Sequence, residues 1–307
     1  MTKATPSRER HQSPTGRRLV PYPAALDLHT HTLRSDGVLS PEALVAAAGA
    51  AGVTLLAITD HDTLAGVREL RRSGAVPAGL EVLPGIELNS VLEAPSKSGE
   101  GEVHVLGLGV DPDDDALEAA LSRQRDSRRV RFDRMVARFR ELGMPIERAL
   151  EDQPSTTDDD ALGRPRLARA LIACGYATSI EDAFVHHLSR GRPAYVPRQG
   201  LGPIEAIRAI RAAGGIASLA HFAEAPSHVA FIRELMAAGL NGLEVYYRSY
   251  EAPAVAGLRK VAEELRLVAT GGTDYHGDRE TYPEAHAELW FPTPAAAAFR
   301  EALEVAA

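Results

Sequence analysis

The sequence is short of cysteine, of lysine and of long apolar runs, and each shortage excludes something. Cys174 is the only cysteine, so the chain can form neither an internal disulfide nor a cysteine-based zinc site. Lysine occurs only at 3, 97 and 260, which leaves nearly all positive charge to arginine. The longest apolar tract, 43–58, contains two glycines and a threonine, and it falls short of the roughly 20 residues that a membrane helix needs. Residues 1–18 are polar and basic, without the apolar centre of a signal peptide. No membrane association is expected, and the expected location is cytoplasmic. The net charge of −8 also excludes a surface that coats nucleic acid generally. It leaves room for a nucleotide held locally by metals and a few arginines.

With 307 residues, 45% hydrophobic and 25% charged, the chain has the make-up of an ordinary globular protein. It has room for one large barrel-type domain or two smaller ones. Residues 1–22 read as a disordered tail, because they hold little that could be buried. From there a unit repeats: a short apolar run, a polar residue at its end, then a helix start. The run Ala24–Leu28 ends at His29 and His31, with Asp36 beyond. Ser40-Pro41-Glu42 then supplies an N-cap, a proline at the first helical position and an early acid. Val53–Thr59 is almost wholly apolar, as in a strand buried on both faces of a parallel sheet, and it ends in Asp60-His61-Asp62. Thr63 is expected to cap the next helix, with Gly74 at its end.

Glu81–Ile86 ends in Glu87, and Val103–Val110 carries His104. Ile216–Ala220 ends in His221, Leu243–Tyr247 follows, and Leu267–Thr270 runs into Gly271-Gly272-Thr273-Asp274-Tyr275-His276. This alternation predicts a parallel α/β architecture, and seven such strands suit a barrel better than an open sheet. Residues 111–200 interrupt the rhythm with helical patterns to Leu142, over 165–173 and over 179–188, and no strand signal returns until Ala194–Pro197. They are expected to form a helical insertion seated by the loop after the fourth strand, and so to act as a lid over the site. Eight arginines lie between Arg123 and Arg140. Most are expected to form a solvated helix side paired with nearby acids.

Six of the eleven histidines (29, 31, 61, 104, 221 and 276) lie in or just after strand-like runs, all but His104 at the C-terminal end. Asp36, Glu87 and Asp274 join them. In a strand, residues i and i+2 face one side, so His29 and His31 can address one ion. Neutral imidazole and carboxylate suit borderline or hard divalent metals such as Mn, Fe or Zn. The nine residues hold donors enough for two or three ions, the arrangement that phosphate-ester hydrolysis commonly uses.

The ordered motifs Asp-Leu-His-Thr-His-Thr with Ser-Asp-Gly, Ile-Thr-Asp-His-Asp-Thr, Pro-Gly-Ile-Glu, Val-His-Val-Leu-Gly, Leu-Ala-His and Gly-Thr-Asp-Tyr-His span residues 26–276. As a set they resemble the PHP (polymerase and histidinol phosphatase) family. The resemblance implies a distorted seven-stranded (β/α)7, TIM-like barrel at 23–110 and 201–307, with a small all-α insertion at 111–200. The branch it resembles hydrolyses nucleoside 3′,5′-bisphosphates and trims short RNA from its 5′ end. By position, one metal would take His29, His31, Glu87 and Asp274. Glu87 would bridge to a second, held by His104 and His221. Asp36, His61 and His276 would hold a third, Asp36 replacing a histidine of other branches.

Asp60 is expected to orient an imidazole from behind the metals, and Asp62 either to do the same or to cap the next helix. Arg164 in Gly163-Arg164-Pro165 is the expected contact to a second phosphate. Arg164 resembles the arginine of an Arg-x-His motif of this branch, but Arg166 stands where its histidine would be; Leu-Ala-His is followed by Phe222 rather than the usual proline, and an arginine–tyrosine pair soon after it is missing.

The implied activity is hydrolysis of phosphate monoesters of small nucleotides by hydroxide generated on two to three divalent ions, with short single-stranded RNA as a further substrate. No obligate protein partner is implied. A histidinol-phosphatase-like activity is an alternative, as is a non-catalytic metal- or nucleotide-binding module; the absence of an appended polymerase domain and the full ligand set favour the enzyme. An amidohydrolase also begins with His-x-His, but many of those bridge their metals with a carboxylated lysine at a strand end. No lysine stands at one here, and Glu87 fills that role.

Overall fold

The computed structural model describes residues 26–92, 101–154, 157 and 160–306. The tail expected over 1–22 lies outside the described residues. Among the latter, seven strands form one sheet in sequence order: β1 (Leu26–Asp27), β2 (Leu55–Ile58), β3 (Glu81–Val91), β4 (Glu102–Leu108), β5 (Ile216–Leu219), β6 (Gly242–Glu244) and β7 (Val268–Thr270). Helices α1 (Pro41–Ala50), α2 (Ala65–Ser73), α7 (Pro203–Ala212), α8 (Val229–Ala237), α9 (Ala252–Leu265), α10 (Tyr282–Glu288) and α11 (Thr293–Ala306) accompany it. β2 and β5 are buried at every residue, which explains their continuous apolar composition. Ser40 caps α1 by accepting from the Ala43 N–H at 3.2 Å. Gly74 closes α2 in the left-handed region at φ 65°, where a side chain would be strained.

The architecture is α/β, but the expectation of an all-parallel sheet is corrected at one strand. β4 runs antiparallel to both β3 and β5, while the other four neighbouring pairs are parallel. This reversal accounts for His104, which stands near the start of its strand. Running the other way, β4 delivers its N-terminal half where the parallel strands deliver their C-terminal ends, and His104 pairs with Asn89. The reversal also moves the insertion. The chain leaves β4 at the end remote from the histidines, where Gly109 N–H donates to Pro84 O and Asp111 N–H to Ala213 O. The insertion is therefore not seated by a loop on the site face. Instead, α3 (Asp115–Glu141) carries the chain back along the sheet, its 27 residues spanning about 40 Å.

Beyond α3 lie α4 (Glu147–Glu151), α5 (Arg164–Ala173) and α6 (Ile180–Ala183), the last continuing into a π-helical turn at Phe184–Leu188. These elements bury their own apolar cluster, including Phe132, Met135, Phe139, Leu167, Leu171 and Leu188, apart from the cluster around the sheet. The strand expected at Ala194–Pro197 does not form. Ala194, Tyr195 and Val196 are buried as irregular chain, held by Arg131 Nε donating to Val196 O at 2.8 Å. Apolar content alone mimicked a strand there. α4, α8 and α10 went unread because each is short or follows a loop without a strong cap.

The two edges of the sheet meet at the histidine-bearing end. Leu28 N–H donates to Gly271 O (3.2 Å), Asp274 N–H to His29 O (2.8 Å) and His31 N–H to Tyr275 O (3.0 Å), and Thr30 bridges Tyr275 in parallel. Gly272 permits this approach: a Cβ there would lie 2.5 Å from both the backbone N and the Cβ of His29. Neither atom can move without breaking the junction. Gly272→Ala is expected to lower stability by about 1–3 kcal/mol through overpacking, read as a fall in the denaturant midpoint. An unchanged midpoint would show that the junction carries no such constraint.

Candidate metal centre

Each candidate ligand reaches the centre because its backbone is held by a buried polar group nearby. Asp27 is buried at the end of β1 and accepts from Thr273 N–H (2.9 Å), Thr273 Oγ1 (2.7 Å), Tyr282 OH (3.0 Å) and, weakly, His29 N–H (3.3 Å). It thereby ties the segment bearing His29 to the one bearing Asp274. Asp60 accepts from Thr32 N–H, Thr32 Oγ1 and Ser35 Oγ, all at 2.7 Å. These contacts fix the turn between His31 and Asp36, so Asp60 shapes the loop that carries two candidate ligands.

Asp62 caps no helix. It accepts from Asn89 N–H (3.2 Å) and from the guanidiniums of Arg128 (2.6 Å) and Arg198. Burial acts to raise its pKa, but Arg128 and Arg198 hold its carboxyl below the usual range. Three non-glycine residues around the centre adopt positive φ: Asp62 (51°), His221 (30°) and Asp274 (51°). Strained backbone of this kind persists where the surroundings over-determine it.

Glu87 is wholly buried, and five imidazoles approach its carboxylate. His104 Nδ1 and His221 Nε2 lie 2.7 and 3.1 Å from Oε1. His61 Nδ1, His31 Nε2 and His29 Nε2 lie 2.9, 3.2 and 3.3 Å from Oε2. Asp274 Oδ1 lies 3.3 and 3.1 Å from the Nε2 atoms of His29 and His31. Asp36 faces His276 (3.2 Å), His61 (3.5 Å) and His31 (3.7 Å). Burial alone would raise the Glu87 carboxyl, but His61, His29 and His104 hold it well below the carboxylate range. Burial is likewise overcome at Asp36 by His61 and His276, and at Asp274 by His29 and His276. Burial pushes His61 down to about 4, whereas Asp36 and Asp274 outweigh it at His276 and carry that ring up to about 10. The centre is three ionised carboxylates among six imidazoles.

Three sets of these side chains bring donor atoms within 4.8 Å of one another: His29, His31, Glu87 and Asp274; His31, Asp36, His61 and His276; and His61, Glu87 and His104. His221 joins the third through its contacts to Glu87 and to His104 Nδ1, both 3.1 Å. Divalent ions fit this arrangement on two counts. Ligands about 2.0–2.2 Å from one ion stand roughly 3.0–3.5 Å apart, close to the spacings above. In addition, His29 Nε2, both ring nitrogens of His31, Asp36 Oδ1, His61 Nδ1 and Glu87 Oε2 are buried without a hydrogen-bond partner. Buried polar atoms are rarely left so in folded proteins. Here they converge on one place.

Two residues that sequence reasoning missed hold this arrangement from behind. Glu244, buried at the end of β6, lies 3.0 Å from His29 Nδ1 and accepts from His221 N–H at 2.7 Å. Tyr247 OH donates to Asp274 Oδ2 at 3.0 Å, leaving Oδ1 to the imidazoles. An acid closing a strand was the available signal for Glu244; the sequence offered none for Tyr247.

A cavity of about 180 Å³ adjoins Asp36 and His61, walled by Arg128, Arg131, Arg164 and Arg198. Arg164 lies over the Phe184 ring at 5.2 Å. Arg166 points elsewhere, donating to Leu150 O and Pro154 O. Arg131 Nη2 and Arg198 Nε are buried without acceptors. Burial, together with Arg128, pushes Arg198 down to about 10, against the pull of Asp62 and Glu102.

A family model described as the PHP domain matches residues 27–108. The chain is 34% identical over 279 residues to the 5′-3′ exoribonuclease Rnm of Escherichia coli strain K12, covering 88% of this chain and 91% of that one. It is 31% identical over 265 residues to a 3′,5′-nucleoside bisphosphate phosphatase of Chromobacterium violaceum, covering 84% and 89%. The solved structure of a candidate metal-dependent phosphoesterase from Bifidobacterium adolescentis is similar at a TM-score of 0.68 and 31% identity, over 83% of this chain and 88% of that one.

Removing the support behind one imidazole tests the centre directly. Glu244→Gln is expected to weaken divalent-ion binding about 10–100-fold, as the loss of such supports commonly does. Mn²⁺ titration of the metal-stripped protein reads the effect, and unchanged affinity would remove Glu244 from the centre.

Proposed function

The chain belongs to the PHP-domain family and is a metal-dependent phosphoric ester hydrolase, and from that premise we propose that its substrates are small nucleotides. They are nucleoside 3′,5′-bisphosphates or monophosphates, with short RNA trimmed from its 5′ end as a linked activity. The proposal takes the seven strands as the family's barrel and residues 111–200 as the subdomain that admits the substrate.

The observation that carries this reading is the arginine-walled cavity beside Asp36 and His61. Asp36 and Glu102 line it beside the four guanidiniums, Asp62 pairs with Arg128 and Arg198 behind it, and two of the guanidinium donors are unmet. An incoming dianion would satisfy Arg131 Nη2 and Arg198 Nε and relieve the repulsion among the arginines. The cavity is smaller than the roughly 300–1,000 Å³ of ordinary ligand pockets, which suits one phosphate-sized group rather than a folded polymer. A substrate with two phosphates could place one here and the other among the histidines.

Within the centre, His29, His31, Glu87 and Asp274 are proposed to hold one ion and Asp36, His61 and His276, with His31 beside them, another; His104 and His221 bound a further position beside Glu87. Ions bound there would supply an acidified water and neutralise charge on the phosphate oxygens. The protein's own contribution is orientation. Glu244 fixes the His29 ring, Tyr247 fixes the Asp274 carboxylate, and Asp60 fixes the turn between His31 and Asp36. Arg131 and Arg164 would grip the non-reacting phosphate by charge-assisted hydrogen bonds. Among the described residues, no helix is long and apolar enough to cross a membrane.

Mn²⁺-loaded protein is expected to release phosphate from a nucleoside 3′,5′-bisphosphate. Failure to release it from that substrate, from AMP and from a short 5′-phosphorylated RNA would overturn the reading. His29→Ala is expected to abolish turnover while leaving the melting transition in place; wild-type turnover would remove His29 from the machinery. Arg131→Met is expected to raise KM for the bisphosphate about 10–100-fold, the worth of one or two hydrogen bonds to a charged group. KM for the monophosphate should hardly change, and an equal rise for both would place the second phosphate elsewhere.

A further inference from the structure

A second cavity adjoins the metal centre at Asp274 and His276. It holds about 500 Å³, and Pro165, Ile180, Phe184 and Tyr247 are among its walls. That volume lies within the range of ordinary ligand pockets. Pro165 and Phe184 also line the arginine-walled cavity beside Asp36, so the two spaces share one partition. Their chemistry differs. The smaller is set with guanidiniums, whereas the larger combines apolar and aromatic walls with a rim of both signs, where Arg248 pairs with Glu280 at 2.7 Å. The smaller suits a phosphate, and the larger suits an uncharged, partly apolar group.

Phe184 is held at this partition by an unusual piece of backbone. It begins the π-helical turn Phe184–Leu188, a form that is rare and often found at functional sites. Phe184 is only partly buried against the apolar cluster of the insertion. The Arg164 guanidinium lies over its ring, 5.2 Å from the centroid, and Nη1 reaches Leu188 O of the same turn at 3.5 Å. Arg164 lines the smaller cavity but not the larger. Its guanidinium therefore covers the ring from the smaller cavity's side, and the opposite face is left to the larger one.

We infer that the larger cavity takes the nucleoside of the substrate, with its base stacked on the face of Phe184 turned away from Arg164. Bases stack readily on aromatic rings, and any base serves because each has a π-face. The order is then guanidinium, phenyl ring, base. This stack couples the two ends of the substrate, because the arginine that grips the non-reacting phosphate also backs the ring that receives the base. Phe184 becomes a specificity-determining residue. It favours a phosphate ester that carries a planar base over a sugar phosphate of the same charge.

The inference rests on the nucleotide reading given above, and its test does not depend on turnover. The probe is the non-hydrolysable 5′-phosphonate of 2-aminopurine riboside, whose fluorescence falls when its base is stacked. It is titrated into the full-length protein loaded with Zn²⁺. Wild type is expected to quench the probe. Phe184→Leu keeps an apolar side chain but removes the ring; it is expected to lose most of the quenching and to bind about 5- to 100-fold more weakly. Phe184→Tyr, which restores a ring, is expected to recover both.

Ribose 5-phosphate, which has the phosphate and no base, separates stacking from support of Arg164. Calorimetry is expected to show it binding wild type and Phe184→Leu alike. An equal loss for ribose 5-phosphate and the probe would reduce the ring to a prop for Arg164 and overturn the inference. Undiminished quenching in Phe184→Leu would overturn it too. Ring-dependent quenching without phosphate release from any nucleotide would uphold the subsite and remove only the activity proposed above. Phosphate release with an unquenched probe would do the reverse.

Discussion

Glu87 is the constraint on which the rest of the structure depends. A carboxylate taken wholly out of water is costly unless charge and hydrogen bonds compensate it. This one is met by five imidazoles from four separate parts of the chain. No local sequence could assemble that shell. The sheet does so by continuing β3 past Glu87 as far as Val91, by reversing β4 so that His104 meets it, and by joining the segments after β1 and β7 across a glycine. The polar groups behind the centre serve the same end. Asp27, Asp60 and Glu244 are buried acids that hold backbone or rings in place.

The helical insertion belongs to this arrangement through Asp62. That single carboxylate accepts guanidiniums from the middle of α3 and from the irregular segment that leads back to the sheet. A buried ion pair of this kind adds little net stability over apolar packing, but it sets register. It fixes which turn of α3 stands over β3, and so brings Arg128 to Asn89 and Arg131 to the cavity. Metal-assisted hydrolysis is indifferent to what carries the phosphate ester. The walls beside the centre decide that, and on the reading proposed above insertion arginines supply them. Family members can therefore share the centre and differ in substrate.

Much of the fold was legible because its signals are local. Buried strands such as Leu55–Ile58 read as apolar runs, and Ser40-Pro41 announced a helix start. The polar residue closing each run marked the site, because a strand end is where a buried backbone turns outward. The failures share a cause. Nothing local separates a parallel strand from an antiparallel one, so β4 and the seat of the insertion were misread. Ala194–Val196 is apolar because it packs beneath α3, not because it pairs. Asp60 and Asp62 flank His61 symmetrically, yet one shapes a loop and the other receives the insertion.

The sequence by itself determined the chemistry: which side chains could meet a divalent ion, that no cysteine or bridging lysine was among them, and that they recur at the ends of buried runs. Its spacing settles these points because residue type and period depend on neighbours a few positions away. Only the tertiary structure decided how those side chains are shared. It placed His31 within reach of two groups, set Glu244 and Tyr247 behind the ligands, turned Arg166 away from Arg164, and set an insertion arginine against Asn89. Such relations join residues far apart in the chain. They are fixed by strand direction, close backbone approach and buried charge, which no short stretch of sequence contains.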